Sequence, residues 1–510
     1  MQDLTRELTG TSMKVLHVAA ECFPLVKTGG LADVVGSLPL AQRRIGIDAR
    51  VALPGYRGLA SRLDFTRTVA SFDLSGFHLS VTEGTLNNIE GPEQRLPVYL
   101  FECPELYDRP GDPYRDANGN DYPDNALRFG LFAEAVSRFA GHRGEGFSPE
   151  LVHLHDWQAA PAAAWLSLLP QRPATLLTIH NLAYQGLFDH DTFQRLGFPE
   201  QWWSPEAMEF WGQCSFLKAG ILFSDAITTV SPAYAREIQT AEYGCGLEGV
   251  LKVRAADVSG IINGIDTSIW NPQTDPLIAA RYTAADVTAG KNANKSALQQ
   301  ELGLAAAPLP LVSFIGRLAD QKGADLLLPA SGELLQMNAQ YVVLASGDRG
   351  LHEAFARFGA SADARRIAIR LTHDEGLAHR ILAAADLLLV PSRFEPCGLN
   401  QMYAQRYGTL PVVRRTGGLI DTVTDADADA LAAGRATGVH FRDADAGGIL
   451  YGVRRGLELI ADTAVRDRLR QTGMARDFSW LQSAGAYQEL YLKLQESRRF
   501  GLAASPTAAR

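Results

Sequence analysis

Residues 151–181 read LVHLHDWQAAPAAAWLSLLPQRPATLLTIHN. Two short β-rich runs, LVHLH (151–155) and TLLTI (175–179), flank a longer amphipathic segment. Neither run alternates cleanly between apolar and polar residues. Each therefore reads as a strand covered on both faces, the pattern of a parallel sheet with helices packed on it. The habit continues outward in both directions. AITTV (226–230) and SGIIN (259–263) follow, and LPLVSFIG (309–316), QYVVLASG (340–347), RIAIRLT (366–372) and ADLLLVPS (385–392) repeat it in the later half. Alternating βα units over 510 residues predict an α/β protein with two doubly wound domains. A single TIM barrel is the competing architecture, and it would leave roughly half the chain without a role.

Composition narrows the function classes. The chain has 48 Lys+Arg against 57 Asp+Glu, a formal net charge of −9. That balance disfavours a general nucleic-acid binder, which needs a basic face, and leaves room for a local cationic pocket. Apolar residues at 46% and charged residues at 21% exclude wholesale disorder. The cysteines, Cys22, Cys103, Cys214, Cys245 and Cys397, are odd in number and contain no CxxC pair, so neither a disulfide scaffold nor a zinc site is expected. No apolar run approaches the ~18 residues of a membrane helix. The first twelve residues, MQDLTRELTGTS, have no apolar core of a signal peptide. A soluble cytoplasmic protein without membrane or nucleic-acid partners is the expectation, with residues 1–12 and 503–510 as loose ends.

The chemistry-bearing residues sit just past strand ends, where open α/β sheets place ligands. His155-Asp156-Trp157 ends one strand and Ile179-His180-Asn181 the next. A carboxylate and an imidazole there suit hydrogen bonding to hydroxyls or the positioning of a proton acceptor; His153 reads as an ordinary hydrogen-bonding residue. Gly316-Arg317 and Lys322-Gly323 place two cations five residues apart behind an apolar strand, a pattern suited to a diphosphate whose leaving charge they neutralise. Glu395 follows ADLLLVPS in a turn stiffened by Pro396. One echo links the halves: Thr28-Gly-Gly-Leu-Ala-Asp33 recurs as Thr416-Gly-Gly-Leu-Ile-Asp421. Paired glycines opening a helix admit close approach of a ligand and present N–H groups to anions. Gly244-Cys-Gly246-Leu-Glu-Gly249 matches a dinucleotide pattern formally, but it follows a helical stretch rather than a strand, so a nicotinamide site is rejected. No Walker A, HExxH or GxSxG motif occurs.

At these residues the chain resembles the bacterial glycogen synthase and plant starch synthase family. The resemblance is carried by Lys27-Thr-Gly-Gly-Leu-Ala-Asp33, His155-Asp156-Trp157, Thr178-Ile-His180-Asn181, Asn263-Gly264-Ile-Asp266, Gly316-Arg317-Leu with Gln321-Lys322-Gly323, and Arg393-Phe-Glu395-Pro-Cys397-Gly398-Leu399. It implies a GT-B architecture of two Rossmann-like domains facing a cleft: an N-terminal, acceptor-side domain over 13–256, completed by a helix from 480–498, and a nucleotide-sugar domain over 257–479. It implies an ADP-glucose-dependent glucosyltransferase that extends the non-reducing end of an α-1,4-glucan such as glycogen, with retention of configuration and without metal or other cofactor. A related enzyme using UDP-glucose or another acceptor is the alternative. By the same resemblance, His180, Asp156, Glu395, Arg317 and Lys322 form the catalytic set. Lys27, Gly29, Gly30, Asn263, Cys397, Gly398, Leu399, Thr416, Gly417 and Gly418 join Arg317, Lys322 and Glu395 in binding the nucleotide sugar.

Overall fold

A computed structural model of the protein describes residues 12–87, 95–142 and 146–499. The expected loose end at 503–510 and all but Ser12 of the expected N-terminal one lie outside the described residues. The chain divides into two compact units. The first takes the described residues up to Val230, then Ala235–Gly264, and the chain from Trp480 onward; the second takes Ser231–Tyr234 and Ile265–Ser479. The main crossing thus falls after Gly264 rather than at the expected 256/257. The reason is strand pairing: Val258–Gly260 lies parallel to Ala226–Thr229 and so stays with the first sheet.

The strands of the first unit are β1 (Lys14–Val18), β2 (Asp48–Pro54), β3 (Asp64–Leu74), β4 (Phe77–Asn87), β5 (Arg95–Glu102), β6 (Leu151–His155), β7 (Ala174–Ile179), β8 (Leu187–Phe188), β9 (Glu209–Phe210), β10 (Gln213–Ser215), β11 (Ala226–Thr229) and β12 (Val258–Gly260). Nine of them form one sheet in the order β12-β11-β7-β6-β1-β2-β5-β4-β3, and β8-β10-β9 make a small antiparallel sheet. From β12 to β5 every pairing is parallel. The runs that opened the sequence reading, β6 and β7, are buried along their full length, as strands covered on both faces must be. The βα alternation carries no sign of β3 and β4, which extend the sheet antiparallel beyond β5. Their hairpin turns at Ser75-Gly76, both at positive φ, as a tight primed turn requires. The C-terminal helix Trp480–Arg499 returns to this unit. Its Trp480, Ala484, Tyr487, Tyr491 and Leu494 share one core with Val34, Leu38 and Ala41 of the helix Gly30–Arg44. Burial of each large side chain there contributes about 1.5–3 kcal/mol relative to exposure.

The second unit holds β13 (Leu311–Leu318), β14 (Gln340–Gly347), β15 (Ile367–Arg370), β16 (Leu387–Val390), β17 (Leu410–Arg414) and β18 (Val439–Phe441). They form an all-parallel sheet in the order β15-β14-β13-β16-β17-β18. Its core joins Val312, Phe314, Leu387, Leu389 and Val412 to Ile449 and Val453 of the helix Ala446–Ala461.

Both sheets reverse their winding direction once. In the first, β1 leads outward to β2 on one side while β6 begins the other; in the second, β13 and β16 play these parts. Such switch points open a crevice at the carboxyl ends of the flanking strands. Lys27 and Asp156 follow β1 and β6, whereas Lys322 and Glu395 follow β13 and β16. Among the described residues, no helix is long and apolar enough to cross a membrane.

Candidate active site

The switch point of the second unit is the more tightly built. Glu395 is buried, with 5% of its surface exposed. Its Oε2 accepts from Lys322 Nζ at 2.6 Å and from Ser392 Oγ at 2.9 Å. The cation expected at a diphosphate and the carboxylate expected at a sugar are therefore partners of one another across 73 residues of sequence. Arg317 is exposed, and its nearest tie is a 3.5 Å contact to Gln321 Oε1. The loops after β13 and β16 are fastened by Arg393, whose N–H donates to Gln321 O at 2.9 Å. The Arg393 guanidinium grips both Asp325 oxygens at 2.7 Å. Gly323 sits at φ +65, with Pro391 O only 2.1 Å from where a Cβ would lie, so this junction admits no side chain.

The second Thr-Gly-Gly loop closes against the same turn. Gly418 N donates to Glu395 O at 2.9 Å, and a Cβ on Gly418 would lie 2.4 Å from Cys397 O. Cys397 is buried, Gly398 is left-handed at φ +74, and Gln401 Nε2 donates to the carbonyls of both at 3.0 and 2.9 Å. Leu399 caps the helix Asn400–Arg406, and Thr416 caps Gly417–Thr422. The structure therefore brings Arg317, Lys322, Glu395, Cys397, Gly398, Leu399 and Thr416–Gly418 to one edge of the second sheet.

The first unit gathers the others around β1, β6 and β7. Asp156 adopts φ +56, a left-handed conformation uncommon for a residue with a side chain. Its Oδ1 accepts from His180 N at 2.7 Å, tying the ends of β6 and β7 together. Burial, opposed by backbone hydrogen bonds from His180 and Asn181, pushes the Asp156 carboxyl up to about 7, and the nearby charge of Glu21 adds to the rise. Burial also lowers His180 to about 3, so its imidazole is neutral at neutral pH. A neutral imidazole beside a carboxyl that titrates near 7 can exchange hydrogen bonds with hydroxyls and hold a proton on the carboxyl.

Lys27 is exposed and pairs with Asp33 at 2.7 Å. Gly29 and Gly30 open the helix Gly30–Arg44, and a Cβ at either would meet nothing within 4 Å among the described residues. The amides here are not all free for an anion. Thr28 N and Gly29 N donate to Glu21 Oε2 at 2.5 and 2.9 Å, while Glu21 Oε1 accepts from Tyr114 Oη at 2.6 Å. Nothing in ECFPLV (21–26) marks Glu21 as a carboxylate that folds back on its own loop. Asn263 is buried three residues past β12, and its Oδ1 has no hydrogen-bond partner among the described residues. The Gly244–Gly249 stretch turns at Gly246, φ +83, against Phe210 and opens the helix Glu248–Val253, with no strand before it.

His17, His153 and His155 crowd together with ligating nitrogens within 4.8 Å of one another. All six ring nitrogens already have hydrogen-bond partners: His17 with His155 and Gln42, His155 with His180, and His153 with Tyr491 and Thr178. The cluster is a hydrogen-bond network, and its donors are committed to it.

Comparison with known proteins places these residues in context. Residues 14–253 match the family described as starch synthase catalytic domain, and residues 309–444 match glycosyl transferases group 1. Glycogen synthase 1 of Methylococcus capsulatus is 47% identical over 481 residues, covering 94% of this chain and 96% of that one. Glycogen synthase of Paramagnetospirillum magneticum is 46% identical over 486 residues, covering 94% and 98%. The solved catalytic domain of starch synthase IV from Arabidopsis thaliana, bound to ADP and acarbose, superposes with a TM-score of 0.84 at 34% identity, covering 95% of this chain and 100% of that one.

Proposed function

The chain belongs to the glycogen synthase and starch synthase family of glycosyltransferases, and from that membership we propose that it extends an α-1,4-glucan with glucose from ADP-glucose, releasing ADP with retention of configuration. Its two doubly wound units are of the GT-B class. The observation that carries the reading to particular residues is the Lys322–Glu395 pair at the switch point of the second sheet, with the unencumbered Arg317 beside it in sequence.

As the bond between the glucosyl C1 and the phosphate oxygen breaks, the sugar gains positive character and ADP gains negative charge. Arg317 and Lys322 bind the diphosphate and stabilise that charge; removing one preorganised donor of this kind typically lowers the rate by about 10²–10³. Lys27 is assigned to the same phosphates, and the open backbone at Gly29 and Gly30 allows them to come close. Glu395, freed in part from Lys322 when phosphate arrives, accepts hydrogen bonds from glucose hydroxyls. The Cys397–Leu399 backbone lines the sugar pocket, and Asn263 and Thr416–Gly418 complete the donor contacts. His180 and Asp156 act at the transferred sugar and the acceptor hydroxyl. ADP leaves without protonation by a strong acid, so a glycosidase-type pair of carboxylates is not required. No metal or other cofactor enters the proposed chemistry, and a cytoplasmic setting with a neutral glucan as partner suits the net charge of −9.

Initial rates of nucleotide release with glycogen test the donor assignment. ADP-glucose is expected to support rapid, glycogen-dependent release and UDP-glucose little. Equal or faster release from UDP-glucose would overturn the choice of donor while leaving the fold and family intact.

A further inference from the structure

The buried histidines of the first unit, taken with Gln42 and Tyr491, form one unbranched hydrogen-bond wire that ends at His180. Gln42 is its centre, fully buried on the helix Gly30–Arg44. Its Oε1 lies 2.7 Å from His17 Nε2, and its Nε2 donates to Tyr491 Oη at 2.9 Å. One arm runs from His17 Nδ1 to His155 Nε2 at 3.0 Å, then from His155 Nδ1 to His180 Nε2 at 2.9 Å. The other runs from Tyr491 Oη to His153 Nδ1 at 2.8 Å, from His153 Nε2 to Thr178 Oγ1 at 2.6 Å, and from Thr178 to Thr228 Oγ1 at 2.5 Å. Thr228 Oγ1 then lies 3.5 Å from Leu177 O.

Burial lowers the proton affinity of all four rings, to about 4 for His17, about 3 for His180, and well below the usual histidine range for His153 and His155. A neutral imidazole has one donor and one acceptor nitrogen, so each link of the wire dictates the next. The amide oxygen of Gln42 can only accept, which puts a proton on His17 Nε2 and leaves Nδ1 as acceptor. His155 must then donate through Nε2 and accept through Nδ1, and His180 must donate through Nε2. In the other arm, the Gln42 NH₂ group donates to Tyr491, Tyr491 donates to His153, His153 to Thr178, and Thr178 to Thr228. The arm closes on the Leu177 carbonyl, which can only accept. Reversing any single link would leave two protons or two lone pairs facing one another in a buried site, so the wire reverses as a whole or not at all.

We propose that Gln42 and Tyr491 are positioning residues that lock His180 in the Nε2–H tautomer, so that the nitrogen outside the wire, Nδ1, is a lone-pair acceptor for a sugar hydroxyl. The C-terminal helix thereby acts on the site through Tyr491, which is 338 residues from His153 in sequence. The consequence for the sugar rests on the proposed role of His180, whereas the tautomer itself is read independently of turnover.

The test is ring nitrogen NMR on protein carrying ¹⁵N-histidine, supported by neutron diffraction of the wild type. Wild type is expected to show His180, His155 and His17 each protonated at Nε2 alone. Tyr491→Phe frees the Gln42 amide to turn, so a second tautomer is expected in those three rings together, with at most about a twofold fall in kcat and an unchanged KM. Gln42→Glu, whose carboxylate accepts from both neighbours, is expected to reverse His153 while leaving His180 as in wild type. A proton on His180 Nδ1 in the wild type, or a His180 ring unaltered in Tyr491→Phe, overturns the proposal. Loss of folding in one variant leaves the wild-type measurement decisive.

Discussion

The two Thr-Gly-Gly-Leu loops share a sequence and a place, the start of a helix at the edge of a sheet, yet they are filled differently. In the first, Cβ atoms at Gly29 and Gly30 would point into open space, and the carboxylate that occupies the amides is Glu21, from the chain just upstream. In the second, Gly417 is left-handed at φ +44, and Gly418 presses on Cys397 with no room for a methyl group. Its amide holds the backbone of Glu395 itself. The first pair of glycines is not needed for packing among the described residues, which supports the proposed close approach of the donor phosphates. The second pair is needed to build the turn that carries Glu395. On the proposed function, one motif serves as a doorway in one unit and as a buttress in the other.

Substitutions at matching glycines should break this comparison if it is wrong. Gly418→Ala forces the 395–397 turn to move, with an expected loss of about 1–3 kcal/mol in the stability of the second unit and nearly all activity. Gly29→Ala is expected to leave stability within about 0.5 kcal/mol of wild type. Activity should still fall about tenfold, because the phosphates can no longer seat closely. Denaturant melts paired with ADP-release rates read both effects; equal destabilisation by the two variants would remove the distinction between doorway and buttress.

A smaller effect concerns Asp156, which feels the charge of the Glu21 carboxylate that holds the first loop. The Asp156 carboxyl is pushed up to about 7 in the folded protein, from 3.8 for an unperturbed aspartate, because it is buried and feels the charge of Glu21. The folded state binds that proton more tightly, so stability falls as pH rises from about 4 through 7 and is level above. Asp156→Asn keeps a residue tolerant of left-handed backbone and removes the charge. Its melting temperature should exceed that of wild type by about 3 °C at pH 8, with the gap closing toward pH 4, while activity is lost. A gap that widens toward acid pH would reverse the assigned cause.

Local patterns in the sequence mark β6, β7 and β11–β16, eight of the eighteen strands among the described residues. β6 and β7 announce themselves as apolar runs, and Asp156, His180, Arg317, Lys322 and Glu395 each lie within a few residues of a strand terminus. What stayed hidden depends on contacts between distant segments. The Lys322–Glu395 pairing spans 73 residues, and the Gln42–Tyr491 bond spans 449. Nothing in the local sequence around His17 marks it as a neighbour of His155, where the fold places it. The antiparallel hairpin of β3 and β4 leaves no local mark, because its outer strand is almost wholly exposed and carries no continuous apolar run.

The pairing of Lys322 with a buried carboxylate also separates the two cations assigned to the leaving group. Lys322→Ala strips Glu395 of its cationic partner, leaving Ser392 alone on the carboxylate, and therefore confounds rate with stability. Arg317 is exposed, and among the described residues its side chain makes only the long contact to Gln321, so its removal isolates the chemistry. The most direct measurement is glycogen-dependent ADP release from saturating ADP-glucose by Arg317→Ala beside wild type. A kcat lowered by about 10²–10³ at an unchanged melting temperature is predicted. Wild-type turnover in that variant would contradict the account of how ADP departs.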